Sequence, residues 1–170
     1  MAAASSRTNI CCLLVVAMMA VTLCSKGQAA LISLNLSLDL CQRADFPALC
    51  RSVVKGIHDP SVAIESTIKQ LMFQTKQAMN VARRRKSSAM DVCIEVYDDA
   101  YSNLETCLSS LQSHDKGTLN INLSAALTDY VTCDDAVAEI GLISPVTRTN
   151  DLMRRMASNC LYLSSLIHLR

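Results

Sequence analysis

Nine cysteines and three histidines are the residues of this 170-residue chain with the widest chemical range. A thiolate can attack a carbonyl, bind zinc or pair oxidatively, and an imidazole can act as base or ligand. Spacing removes most of these options. His58, His114 and His168 are scattered, none at ligand spacing from a carboxylate or cysteine, and the chain contains no HExxH, CxxC pair, GxSxG or phosphate loop. No catalytic residue, metal site or cofactor is therefore expected. Oxidative pairing remains, and it depends on the compartment.

The amino terminus supplies that compartment. Arg7 precedes the apolar run ICCLLVVAMMAVTLC, and small residues follow with a cleavage position after Ala29 in GQA. The run is too short, and its exit too weakly marked, for a membrane anchor. Residues 1–29 thus read as a secretory signal, and residues 30–170 as one mature domain meeting an oxidising environment. Cys11, Cys12 and Cys24 leave with the signal, so six cysteines stay. Secretion also makes Asn35 and Asn122, each opening an N-L-S triplet, candidate glycan acceptors.

The elements that position the six cysteines are helical. Composition is 51% hydrophobic with 4 Gly, 3 Pro, 2 Phe and no Trp, which suits Leu- and Ala-rich helices over a sheet. Cys93, Tyr97, Ala100, Leu104, Cys107 and Leu111 recur at steps of four and three, as do Leu123, Leu127, Tyr130, Cys133, Val137 and Ile140. A polar turn around HDKG joins the two stripes, so these helices run antiparallel and Cys93 and Cys133 fall at one height on inward faces. Asp59-Pro60 starts an earlier helix, whose stripe through Ile64, Ile68, Leu71 and Met79 ends in the basic cluster Arg83 to Lys86. Those cations read as complements to the helix dipole. Ser87 and Ser88 cap the next helix, Ser124 is a candidate cap for the one starting near Leu123, and Asn150 or Asp151 starts the last.

The fold class that follows is all-α: an up-down-up-down four-helix bundle over 59–170, preceded by a short N-terminal helical hairpin over 30–58. Cys41 and Cys50, nine apart across a Pro-containing bend, suit a local clasp of that hairpin. Counted along the bundle, Cys107 and Cys160 come out roughly 15 Å apart, beyond disulfide reach. The expected pairs are Cys41 with Cys50 and Cys93 with Cys133, leaving two buried free thiols. A formal net charge of +1 gives no global pull toward nucleic acid.

One outward pattern remains. Glu95, Asp99 and Ser102 follow each other away from the core of one helix, and Thr132 and Asp135 do so on its partner. A Cys93–Cys133 bridge would bring both groups to one level as an acidic, hydrogen-bonding patch on a rigid support. The plainer alternative is an ordinary solvated helix face.

The cysteine pair around DFPALC, then CIEVYDDAYSNL, TLNINLSAALTDYVTCDDA, SPVTRTNDL and a closing SNCLYLSSLI together resemble the plant invertase and pectin methylesterase inhibitor family across essentially the whole mature chain. The resemblance implies a four-helix bundle with two disulfides and no enzymatic activity of its own. It implies a partner, a pectin methylesterase or acid invertase of the cell wall or vacuole, bound without covalent chemistry in a 1:1 complex. Among pectin methylesterase inhibitors it gives Glu95, Asp99, Thr132 and Asp135 the role of partner contacts across the esterase substrate cleft. Ser102 departs from the family, standing where an acidic residue is usual, and Val137 stands where many relatives carry Phe. Some invertase inhibitors use a Pro-Lys-Phe run before the LSAAL helix; this chain has Asp115, Lys116, Gly117 and Thr118, which favours the esterase as target. Such a protein would act outside the cell, in the wall space. A rival of another class is a small secreted helical binding or signalling module. A plant lipid carrier would show eight cysteines with adjacent and C-x-C pairs, which the mature chain lacks.

Overall fold

A computed structural model describes residues 39–141 and 144–168 of the chain. The expected signal segment, Asn35 and most of the first arm of the expected hairpin lie outside the described residues. Five helices and no strand occupy what is described: α1 Pro47–Val53, α2 Pro60–Arg83, α3 Ser88–Gln112, α4 Lys116–Glu139 and α5 Thr147–Leu166. The four long ones form the antiparallel bundle, each packed on two neighbours in a ring, with α3 against α4 the most extensive pairing.

Local chemistry sets three of the four starts. Pro60 follows Asp59, whose carboxylate accepts from Ser61 N at 2.7 Å and Val62 N at 3.1 Å. Ser87 Oγ accepts from Met90 N at 3.2 Å. For α4 the sequence reading needs correction. Asp115, not Ser124, is the cap, accepting from Thr118 N at 2.9 Å, so the helix begins seven residues before Leu123. Lys-Gly in HDKG reads as turn chemistry, but a capping carboxylate immediately before it suffices to start a helix there. The reversal falls on His114, a non-glycine residue at φ 60°. At the far end Gly141, at φ 62°, takes the left-handed position that closes α4.

The last helix also starts early, at Thr147, with no side-chain cap. Asn150 looks like a cap because short amides usually serve there. It is instead wholly buried and spent on cross-links between helices. Its Oδ1 accepts from the Tyr97 hydroxyl at 3.0 Å and its Nδ2 donates to the Tyr130 carbonyl. Thr75 donates its own proton to Leu71 O at 2.9 Å, so the Tyr130 hydroxyl must be the donor in the 2.7 Å contact between them. These bonds tie all four long helices together in one polar layer. Among the described residues no buried side-chain polar atom lacks a partner, so the layer specifies how the helices pair without leaving an unmet donor.

Around it the core is apolar: Ile64, Ile68 and Leu71 from α2, Leu104 from α3, Leu119 and Leu123 from α4, Met153, Met156 and Leu163 from α5. Ala100 and Ala126, fully buried, let α3 and α4 approach closely. The segment before α2 is fastened to α5. Phe46 N donates to Asn159 Oδ1 and Asn159 Nδ2 donates to Phe46 O, both at 3.1 Å, and Ser158 Oγ donates to Asp45.

Candidate functional site: the outer face of the bridged helix pair

Two disulfides are formed. Cys41 and Cys50 join across the bend before α1, with Cα atoms 5.6 Å apart, and Cys93 and Cys133 join α3 to α4, with Cα atoms 4.6 Å apart. Cys107 and Cys160 are free and buried. The two thiols are not separated in height as their places in the sequence suggest. Ser164, one turn past Cys160, donates to Asn120 at 2.6 Å, and Cys107 Sγ lies 3.7 Å from Leu119 O. Both thiols therefore sit at the same end of the bundle, close enough that a charge on Cys107 opposes one on Cys160. They stay apart because α3 and α5 occupy opposite corners of the ring, and a diagonal exceeds the span of a disulfide. Burial pushes the Cys107 thiol up to about 12 and the Cys160 thiol higher still. Neither can act as a nucleophile at neutral pH.

With antiparallel pairing anchored at Cys93 and Cys133, Glu95 comes level with Val131, next to Thr132, and Asp99 with Leu127, next to Thr128. All of Glu95, Asp99, Ser102, Thr132 and Asp135 are exposed. The structure adds two residues between them that the sequence reading passed over. Asn103 Nδ2 donates to Asp129 Oδ2 at 3.0 Å across the α3–α4 groove. Asp129 is half-buried, and its pKa is raised by that burial and by the Asp99 charge, against the opposing effect of Asn103. The signal was present: Asn103 is one turn beyond Asp99, and Asp129 one turn before Thr132, on the sides that the bridge turns together. Thr132 is less free than its exposure suggests. Its hydroxyl proton goes to Thr128 O at 3.0 Å, so toward any partner it can only accept.

Asp115 to Thr118, by contrast, are consumed in the fold. Asp115 Oδ2 also accepts from Thr118 Oγ1 at 2.6 Å, and Lys116 Nζ donates to Ile167 O at 2.9 Å. Asn122 lies half-buried inside α4, and its Nδ2, the atom a glycan would occupy, donates to Thr118 O at 2.8 Å. Among the described residues no group of three His, Cys, Asp or Glu is placed to hold a metal ion, and no helix is long and apolar enough to cross a membrane.

The fold is shared with solved proteins. A mutant form of a pectin methylesterase inhibitor from Arabidopsis superposes with a TM-score of 0.71 at 18% identity, over 79% of this chain and 98% of that one. In sequence, a protein of Platanus acerifolia provisionally named an invertase inhibitor is 34% identical over 96 residues, 56% of this chain and 54% of its own length. Pectinesterase inhibitor 12 of Arabidopsis thaliana is 38% identical over 64 residues, 38% of this chain and 37% of its own. The chain thus spans about half or less of the length of these two curated relatives. The family described as plant invertase/pectin methylesterase inhibitor matches residues 35–163. Fold, disulfides and that match agree: the chain belongs to the plant invertase/pectin methylesterase inhibitor family, an inhibitor domain.

Proposed function

We propose that this protein is a secreted inhibitor of a plant pectin methylesterase, matured by cleavage after Ala29, and that it binds through the outer face of α3 and α4. The observation that carries this reading is the covalent lock between Cys93 and Cys133, which holds Glu95, Asp99, Thr132 and Asp135 on one face of two long, rigid helices. A surface already ordered loses little entropy on docking, so a patch of ordinary size can bind well. Such a face would lie across the substrate cleft of the esterase, exclude the polymer and need no chemistry of its own. The wall space and, as an alternative, the vacuole are the compartments where a secreted chain would meet its target.

Esterase is favoured over acid invertase because Asp115 to Thr118 are tied into the bundle and offer no free loop for an active-site pocket. The invertase reading is supported by the name of the Platanus relative. Titrating the purified, oxidised protein against both enzymes decides between them. Esterase turnover should fall to a plateau at one inhibitor per enzyme, with invertase unaffected; the reverse outcome transfers the target. In the same assay Asp99→Ala with Thr132→Ala should weaken inhibition at least about tenfold, with circular dichroism and melting temperature unchanged. If the double variant inhibits like the parent, this face is not the contact surface. Because burial and Asp99 raise the Asp129 pKa, the groove loses its charge at a higher pH than an ordinary aspartate would, and affinity should change as pH falls through the acid range.

A further inference from the structure

Arg83, Arg84, Arg85 and Lys86 are four consecutive exposed cations at the end of α2. A helix dipole asks for one or two positive charges in its last turn, and here three lie beyond the last helical residue, Arg83. Among the described residues none of the four forms an ion pair; the carboxylates so engaged are those of Asp39, Glu65, Asp134 and Asp151, all with other partners. The charge is also local: without these four the formal net charge of +1 would be −3. Behind Arg84, Arg85 and Lys86 opens a cleft of about 590 Å³ at the end of the bundle, walled by Met90, Val137 and Ile140. Ile140, the residue that ends α4, is 39% exposed although its spacing continues the apolar stripe of that helix. Ser87, whose oxygen caps α3, still has a proton to donate into the cleft.

Each part narrows the ligand. Unpaired guanidinium groups select carboxylate or phosphate. An apolar wall beside them selects a ligand with C–H faces, which inorganic phosphate lacks. Nucleic acid would call for aromatic rings on which bases stack, and among the described residues no aromatic one lines the cleft. A chain of uronic acid sugars has an anionic edge, hydroxyls and C–H faces repeated on every ring. Removing methyl esters from pectin generates that chain. We propose that the cleft bounded by Arg84, Arg85 and Lys86 binds demethylesterified pectin, holding the inhibitor on polymer that its target has already processed. The inference rests on the proposed function for the identity of the polymer, but the cleft is separate from the α3–α4 contact face.

The test is calorimetric titration of the secreted, disulfide-intact protein, without any enzyme present, with octagalacturonate, its fully methyl-esterified form and a poly-glutamate of matching length. Binding of the acid octamer is expected, weaker by at least about tenfold for the ester and for poly-glutamate and decreasing as salt is raised. Arg84→Gln with Arg85→Gln and Lys86→Gln should abolish it at unchanged melting temperature. Ile140→Asp, a change at an exposed position, gives an independent lesion of the apolar wall and should weaken it severalfold. Equal binding of acid and ester, equal binding of poly-glutamate, or a triple variant that binds like the parent overturns the proposal. Octamer binding with neither enzyme inhibited would sink the proposed function and leave the cleft standing; inhibition without octamer binding would do the opposite.

Discussion

Cys93 and Cys133 sit on neighbouring helices and are joined; Cys107 and Cys160, equally buried toward the other end of the same bundle, are not. The upper pair comes with a polar layer through Asn150, Tyr97 and Tyr130, whereas the lower pair is buried with no bridge between the two thiols. The difference teaches that height along a bundle is a poor guide to pairing, because corner position decides first. It also separates two ways of holding helices: a covalent tie beside a buried polar layer at the end that carries the exposed acidic face, and at the other end packing with hydrogen bonds such as Ser164 to Asn120 but no covalent tie. The covalent tie lies beneath the proposed contact surface.

Three changes probe that contrast, in falling order of effect. Cys93→Ala with Cys133→Ala frees a loop with a sequence separation of 40 and should lower unfolding free energy by about 4 kcal/mol through the unfolded chain. Urea melts of the oxidised double variant would show it; a loss under about 1 kcal/mol would mean packing already holds the upper end. Asn150→Ala removes the acceptor of the Tyr97 hydroxyl and leaves a void, a cost of about 2 to 3 kcal/mol. If it costs no more than a surface substitution, the polar layer contributes nothing. Cys107→Ala, at the lower end, should cost only about 1 kcal/mol as a small apolar truncation.

The lower end has a further signature in alkali. The unfolded chain releases the Cys107 proton near its ordinary 9.0, while burial delays release in the native state to about 12. The native form therefore binds more protons than the unfolded form across that interval, and stability falls as pH rises through it. Melts at about pH 8 and about pH 10 should show a shallower decline for Cys107→Ala than for the parent, and an identical slope would contradict the buried, protonated thiol.

Much of this was legible in the primary structure because helical stripes are periodic: Cys93, Tyr97, Leu104 and Cys107 point inward as their spacing requires. Helix starts were less so. Asp115 and Asn150 belong to the same class of short polar residues; one caps and the other cross-links, and only the three-dimensional neighbourhood distinguishes them. The exposed acidic positions could be read from the face opposite the stripe, but the Asn103–Asp129 bond could not be assigned before the register between α3 and α4 was known. The basic cleft was still less accessible. It is built from three stretches, around Arg84, Met90 and Ile140, that no local pattern connects.

The mutual grip of Phe46 and Asn159 spans 113 residues. During synthesis the beginning of the domain cannot seat until nearly all of it has emerged, whereas the bridge between Cys41 and Cys50 needs only its own nine-residue interval. An oxidised clasp would therefore wait, preassembled, for the closing helix to arrive, and a chain truncated before residue 159 would be left with a bundle lacking its buckle.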